Sequence, residues 1–94
     1  MDALRLIENY REAYAGKSSY IDSQLELTKR ALQDACRNAE KSDYAFAQAN
    51  MFIARNTAVK LVEAITNPDV IRKLVIDIYM AIEDDMNEIQ EAGE

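Results

Sequence analysis

Ninety-four residues suit one domain, and a chain of that size buries roughly 60% or a little more of the surface its unfolded form exposes, so its core is thin. With 49% hydrophobic and 30% charged residues but only 2 Gly and 1 Pro, it is rich in helix formers and poor in places to turn, and a single all-α domain over 1–94 is expected. One Cys, no His and a net charge of −6 exclude an internal disulfide, a zinc staple, most catalytic dyads and a phosphate-binding surface of clustered Lys and Arg.

The first helix is predicted over 2–14, with Asp2 as N-cap, Leu4, Ile7, Tyr10 and Tyr14 on one side, and Gly16 placed to end it. At about thirteen residues it is marginal alone and folds only by docking, which makes it the element most easily displaced, a lid over a groove until a partner arrives. Ser18-Ser19 opens the second helix, 20–41, where Ser19 and Asp22 imitate a capping box. Ile21, Leu25, Leu32, Ala35, Cys36 and Ala39 are its inner face, widened by Tyr20, Leu27 and Ala31. Ser42-Asp43 separates it from the third helix with two N-capping residues and no breaker; without that break 20–66 is one helix of about 70 Å.

The third helix, 43–66, organises the chain. Tyr44, Ala47, Met51, Ala54, Ala58, Leu61 and Ile65 form an unbroken 3-4 series, the seam of a central helix. No charge falls between Asp43 and Arg55, and Phe46, Ala49 and Ile53 lie opposite the seam, so this half must be enclosed by the rest of the chain or by a second molecule. In Thr66-Asn67-Pro68-Asp69, Pro68 biases Asn67 out of the helical region and occupies the first helical position of the last helix, 68–92. Its seam is Ile71, Leu74, Val75, Ile78, Ile82, Met86 and Ile89, with Gly93 as cap, while Ile76 and Met80 project the other way. Three long, near-equal helices joined by short turns predict an antiparallel bundle with a short N-terminal helix added.

The charge is uneven. Residues 1–41 carry seven bases and seven acids, residues 42–94 four bases and ten acids, and Glu83, Asp84, Asp85, Glu88, Glu91 and Glu94 stand with no base among them. Asp84 and Glu88 are four apart, as in di-metal carboxylate bundles, but such bundles also need inward-facing His and acids on several helices. A solvated acidic face is expected instead, with no metal, cofactor or catalytic residue; an enzyme using Mg²⁺ on this helix is a third alternative. Acids at a helix C-terminus oppose its dipole at up to ~1 kcal/mol each, so the last turn frays or a basic surface meets it. Cys36 reads as a small buried hydrophobe, and Tyr10, Tyr14, Tyr20, Tyr44 and Tyr79 as half-buried rings with the hydroxyl in water.

The off-seam group Phe46, Ile53, Ile76 and Met80 is the candidate partner-binding surface. Either it is core between neighbours, or it is a groove for a helical or disordered segment of another protein, or for a second copy. The lone Cys fits a reducing cytoplasm, the N-terminus lacks a basic region followed by an apolar run, and Arg72, Lys73 and Asp77 interrupt the apolar run from Val70 to Ile82. Neither a membrane partner nor a nucleic acid is expected.

Tyr10 and Tyr14 in a short N-terminal segment, Ser18-Ser19 opening the next helix, and Leu32 and Ala35 before a turn with Asp43 carry a resemblance. With Ile53-Ala54-Arg55 and Val59 in the middle helix and Leu74 and Tyr79 in the last, the chain resembles the FliS family of flagellar export chaperones. That family's Leu-Tyr-Asp-Gly stretch is replaced here by Leu25-Glu26-Leu27-Thr28-Lys29, and the sequence stops where that family usually continues into another helix. The resemblance implies a small cytoplasmic bundle that shields a disordered segment of a secreted protein. The reading of the residues is a non-catalytic, helix-binding chaperone or adaptor; the rival is a homodimeric structural bundle with no export role.

Overall fold

Side-chain caps open the helices that begin at residues 19, 44 and 68, whereas Asp2, expected as the first cap, is already helical. The computed structural model, which describes residues 2–16 and 18–93, is all-α with no strand among them. Met1, Lys17 and Glu94 lie outside the described residues, so the last member of the expected acidic run is not placed. The chain forms α1 (Asp2–Tyr14), α2 (Ser19–Glu40) and α3 (Tyr44–Ala64). It ends in α4 (Pro68–Lys73), a π-helical segment (Leu74–Tyr79) and α5 (Met80–Gly93). Lys73, Leu74 and Met80 all keep right-handed helical dihedrals, so these last three pieces are one continuous rod.

Helix α2 begins one residue earlier than the Ser19 cap predicts. Ser18 is extended and its Oγ accepts from the Ile21 N–H at 3.4 Å, leaving Ser19 already helical. Asp22 is then one place too far along to close a capping box, and its carboxylate accepts the Gly16 N–H at 3.1 and 3.2 Å. Gly16 has φ +79, a conformation that costs it little and closes α1. The chain breaks between α2 and α3 with no Gly: Ser42 takes φ 61, and Asp43 accepts from the Phe46 N–H at 3.4 Å. Asn67 caps α4 through Oδ1, accepting from the Asp69 and Val70 N–H groups at 3.0 and 3.5 Å.

The seam of α3 is the middle of the core. Ala47, Met51, Ala54, Ala58 and Leu61 are buried against Leu25, Leu32 and Ala35 of α2, Ala3 and Ile7 of α1, and Leu74, Ile78, Ile82 and Ile89 of the rod. Several expectations are corrected. Val75 is exposed, although it was placed on the rod's seam. Along a regular α-helix a four-residue step drifts by about 40°, so Leu74, Ile78 and Ile82 would rotate off one face and Val75 would share it. The wider π turn, in which Met80 N–H donates to the Val75 carbonyl, holds that four-spaced row inward and turns Val75 out. On α2, Tyr20 and Leu27 are exposed and Ile21, Cys36 and Ala39 only half-buried, because the inner face is centred further round, on Gln24 and Thr28.

Thr28 is tolerated there because its hydroxyl lies 2.7 Å from the Gln24 carbonyl oxygen and against the Thr57 hydroxyl, itself 2.9 Å from the Ala54 carbonyl oxygen. Two hydroxyl protons serve three contacts, so the pair bonds across the α2–α3 interface only by giving up one of the two backbone bonds. Asn38 donates to Asn50 at 2.8 Å further along the same interface. The short α1 is held by more than its apolar side: its Ala3 N–H donates to Asp85 at 3.2 Å, Tyr10 donates to Asp77 at 3.2 Å, and Arg11 pairs with Glu26 at 2.7 Å. The molecule measures 39 × 20 × 18 Å, and none of its described helices is long and apolar enough to cross a membrane.

Candidate protein-binding surface

Helix α3 has more apolar circumference than its neighbours cover. Phe46 is 65% exposed, Ile53 52%, Ile76 53% and Met80 55%, so the predicted surface faces solvent while the core behind it is closed. Seven residues separate Phe46 from Ile53, which puts both on one flank of α3. Val59 lies about 120° round from Ile53, and it faces the rod: Val59 and Val62 with Val75 and Tyr79 line a cavity of about 260 Å³. The four predicted residues therefore do not form one patch. Phe46 and Ile53 occupy the flank of α3 turned away from the rod, and Ile76 and Met80 the outer side of the rod itself.

Sequence periodicity missed the apolar residues on the side of α3 facing the rod. Phe52, Val59 and Val75 are all exposed, and Val59 and Val75 with half-buried Val62 and Tyr79 edge the groove between α3 and the rod. A 3-4-3 row of Phe52, Arg55, Val59 and Val62 was there to be read, but Arg55 hides it. The reason is geometric: Arg55 Nε sits 2.9 Å from the Tyr79 hydroxyl oxygen and 3.1 Å from Glu83 Oε1, with the guanidinium carbon 5.6 Å from the Tyr79 ring centre. A charged residue thus bridges the two helices, a packing role that hydropathy does not register.

Of the described members of the acidic run, Glu83 and Asp85 are engaged within the chain. Glu83 takes Arg55, and Asp85 is only 4% exposed, its carboxylate receiving the first turn of α1. Burial raises the Asp85 pKa above the ordinary carboxylate value, against the opposing pull of the Ala3 N–H. Asp85 is thus a correction to the solvated face expected of the whole run, while Asp84, Glu88 and Glu91 are exposed. Among the described residues no three Cys, Asp or Glu side chains converge as a metal site requires.

A second concavity, of about 300 Å³, lies between α1 and the rod and is lined by Leu6, Tyr10, Tyr14, Lys73 and Asp77 among others. Tyr10 and Tyr14 stack with ring centres 6.0 Å apart, and burial together with the bond to Asp77 pushes the Tyr10 hydroxyl up to about 12. Cys36 is half-buried, with its thiol pushed up by burial, the opposite of what a nucleophile requires. No family model, curated protein or solved structure matches the chain.

Proposed function

We propose that this chain is a non-catalytic cytoplasmic chaperone or adaptor that holds a helical segment of another protein along the outer flank of α3. The observation that carries the reading is the exposure of Phe46 and Ile53 over a core that is already closed without them. Two large apolar side chains one heptad apart are the anchors that an amphipathic helix reads from a groove. Solvation of such a pair has no structural benefit, since neither contributes to the cluster around Met51.

The architecture suited to this task is an antiparallel bundle of three long helices with α1 packed across it. It is supported by pairings whose numbers run in opposite directions: Thr28 with Thr57 and Asn38 with Asn50 across α2 and α3, Ala3 with Asp85 and Tyr10 with Asp77 across α1 and the rod. Both exposed flanks are bare with α1 in place, so binding there requires no displaced lid. An export role for a secreted partner, as the FliS-like residues suggest, is one form of the same reading. The test is affinity capture by the wild-type chain with mass-spectrometric identification, repeated with Phe46→Asp/Ile53→Asp. A defined partner lost by a variant with an unchanged circular-dichroism melt is expected; an identical captured set contradicts the proposal.

A further inference from the structure

The outer side of the rod carries a different kind of surface. Arg72, Ile76, Met80 and Asp84 follow one another at four-residue spacing and are all exposed. Neither Arg72 nor Asp84 has an ion pair among the described residues, whereas Glu83 on the adjoining row pairs with Arg55 of α3. The row reads base, apolar, apolar, acid. Reversed end for end it reads acid, apolar, apolar, base, which is its own complement.

We propose that this row is a self-association surface on which a second copy of the chain packs its rod about a two-fold axis passing between Ile76 and Met80. A two-fold contact sets residue i against j and j against i, so Arg72 of each copy meets Asp84 of the other and Ile76 meets Met80. Rows at four-residue spacing are the ridges that interdigitate in the commonest helix–helix packing, with axes crossing near −50°. The π turn assists by keeping Ile76 and Met80 in line where a regular α-helix drifts. The charges choose the occupant: a row with a base at one end and an acid at the other repels a copy laid parallel and attracts one laid antiparallel. This surface is separate from the Phe46–Ile53 flank, so a dimer formed through it leaves the proposed partner site open.

Charge reversal tests it without touching the core. Arg72→Glu gives a row with an acid at both ends, and Asp84→Arg a row with a base at both ends. Each variant alone is expected to shift from largely dimeric, as the wild type is at about 100 µM, to at least half monomeric at that concentration, with dissociation constants raised about tenfold or more. Mixed in equal amounts, the two variants form a heterodimer, and Arg72→Glu/Asp84→Arg on one chain restores self-association. Ile76→Asp/Met80→Asp abolishes it with an unchanged circular-dichroism melt. A wild-type chain monomeric at about 500 µM, a dimer indifferent to both reversals, or failure of the mixed variants to associate overturns the proposal.

Discussion

Asp85 shows how one side chain alters the meaning of its neighbours. It lies within a run of acids at the end of a helix, yet it is buried and accepts the Ala3 N–H, one of the N–H groups that α1 leaves without an intrahelical partner. Because burial raises its folded pKa above the unfolded value, the folded state holds the proton to higher pH than the unfolded state does. Stability contributed by this group is therefore fully present below the unfolded pKa and falls as pH rises through the folded one. Asp85→Asn is expected to gain in melting temperature relative to wild type as pH goes from about 4 to 7, a difference that isolates this carboxylate from the other acids. A difference that stays constant across that range contradicts it.

The Thr28–Thr57 pair makes a second prediction at this scale. Thr28→Val alone leaves the Thr57 hydroxyl buried with one partner fewer, at a cost of about 1–2 kcal/mol by urea denaturation. Thr28→Val/Thr57→Val removes both hydroxyls together, so the double variant is expected to lose less than the sum of the single ones. Strict additivity argues against the bond across the interface.

At the scale of elements, the turn between α2 and α3 depends on a non-glycine residue in the left-handed region. Ser42 at φ 61 carries a strain of about 1 kcal/mol that glycine lacks. Ser42→Gly is expected to stabilise the chain by up to about 1 kcal/mol and Ser42→Val to destabilise it, read from urea midpoints; the opposite order contradicts the account. This break was legible because Asp43 is an N-cap and the Tyr44–Ile65 seam starts beside it. Starts marked by Asn67 and Pro68 were legible for the same reason: a cap is a local interaction.

What was not legible depends on tertiary structure. Gln24 and Thr28 interrupt the apolar pattern of α2, so the inner face is read as Ile21, Leu25, Leu32, Ala35, Cys36 and Ala39; Leu25, Leu32 and Ala35 are buried, and Ile21, Cys36 and Ala39 only half-buried. Val75 is read as inward because nothing local announces the π turn that holds Leu74, Ile78 and Ile82 on the inner side. Of the predicted surface, helical phase alone put Phe46, Ile53, Ile76 and Met80 off the seams and left open whether neighbouring helices cover them; all four are exposed. Their division between two flanks was not legible, because it depends on which side of α3 the rod occupies.

For the whole molecule, α1 is a wall of the core. Ala3 and Ile7 are fully buried and Tyr10 nearly so, so removing residues 2–14 strips three residues from the central cluster. The truncated chain is expected to lose its cooperative thermal transition, and a sharp transition near the wild-type temperature contradicts that role.

The central claim is that the chain folds without its outer apolar residues and keeps them for contact with other molecules. Thermal unfolding of Phe46→Asp/Ile53→Asp/Ile76→Asp/Met80→Asp, followed by circular dichroism, tests it most directly. If these four side chains lie outside the folding core, the variant melts cooperatively within about 8 °C of wild type, the shift that ~1 kcal/mol gives in a domain of this size. A variant that is unfolded at room temperature, or that melts more than about 20 °C lower, shows that they belong to the core and contradicts the account.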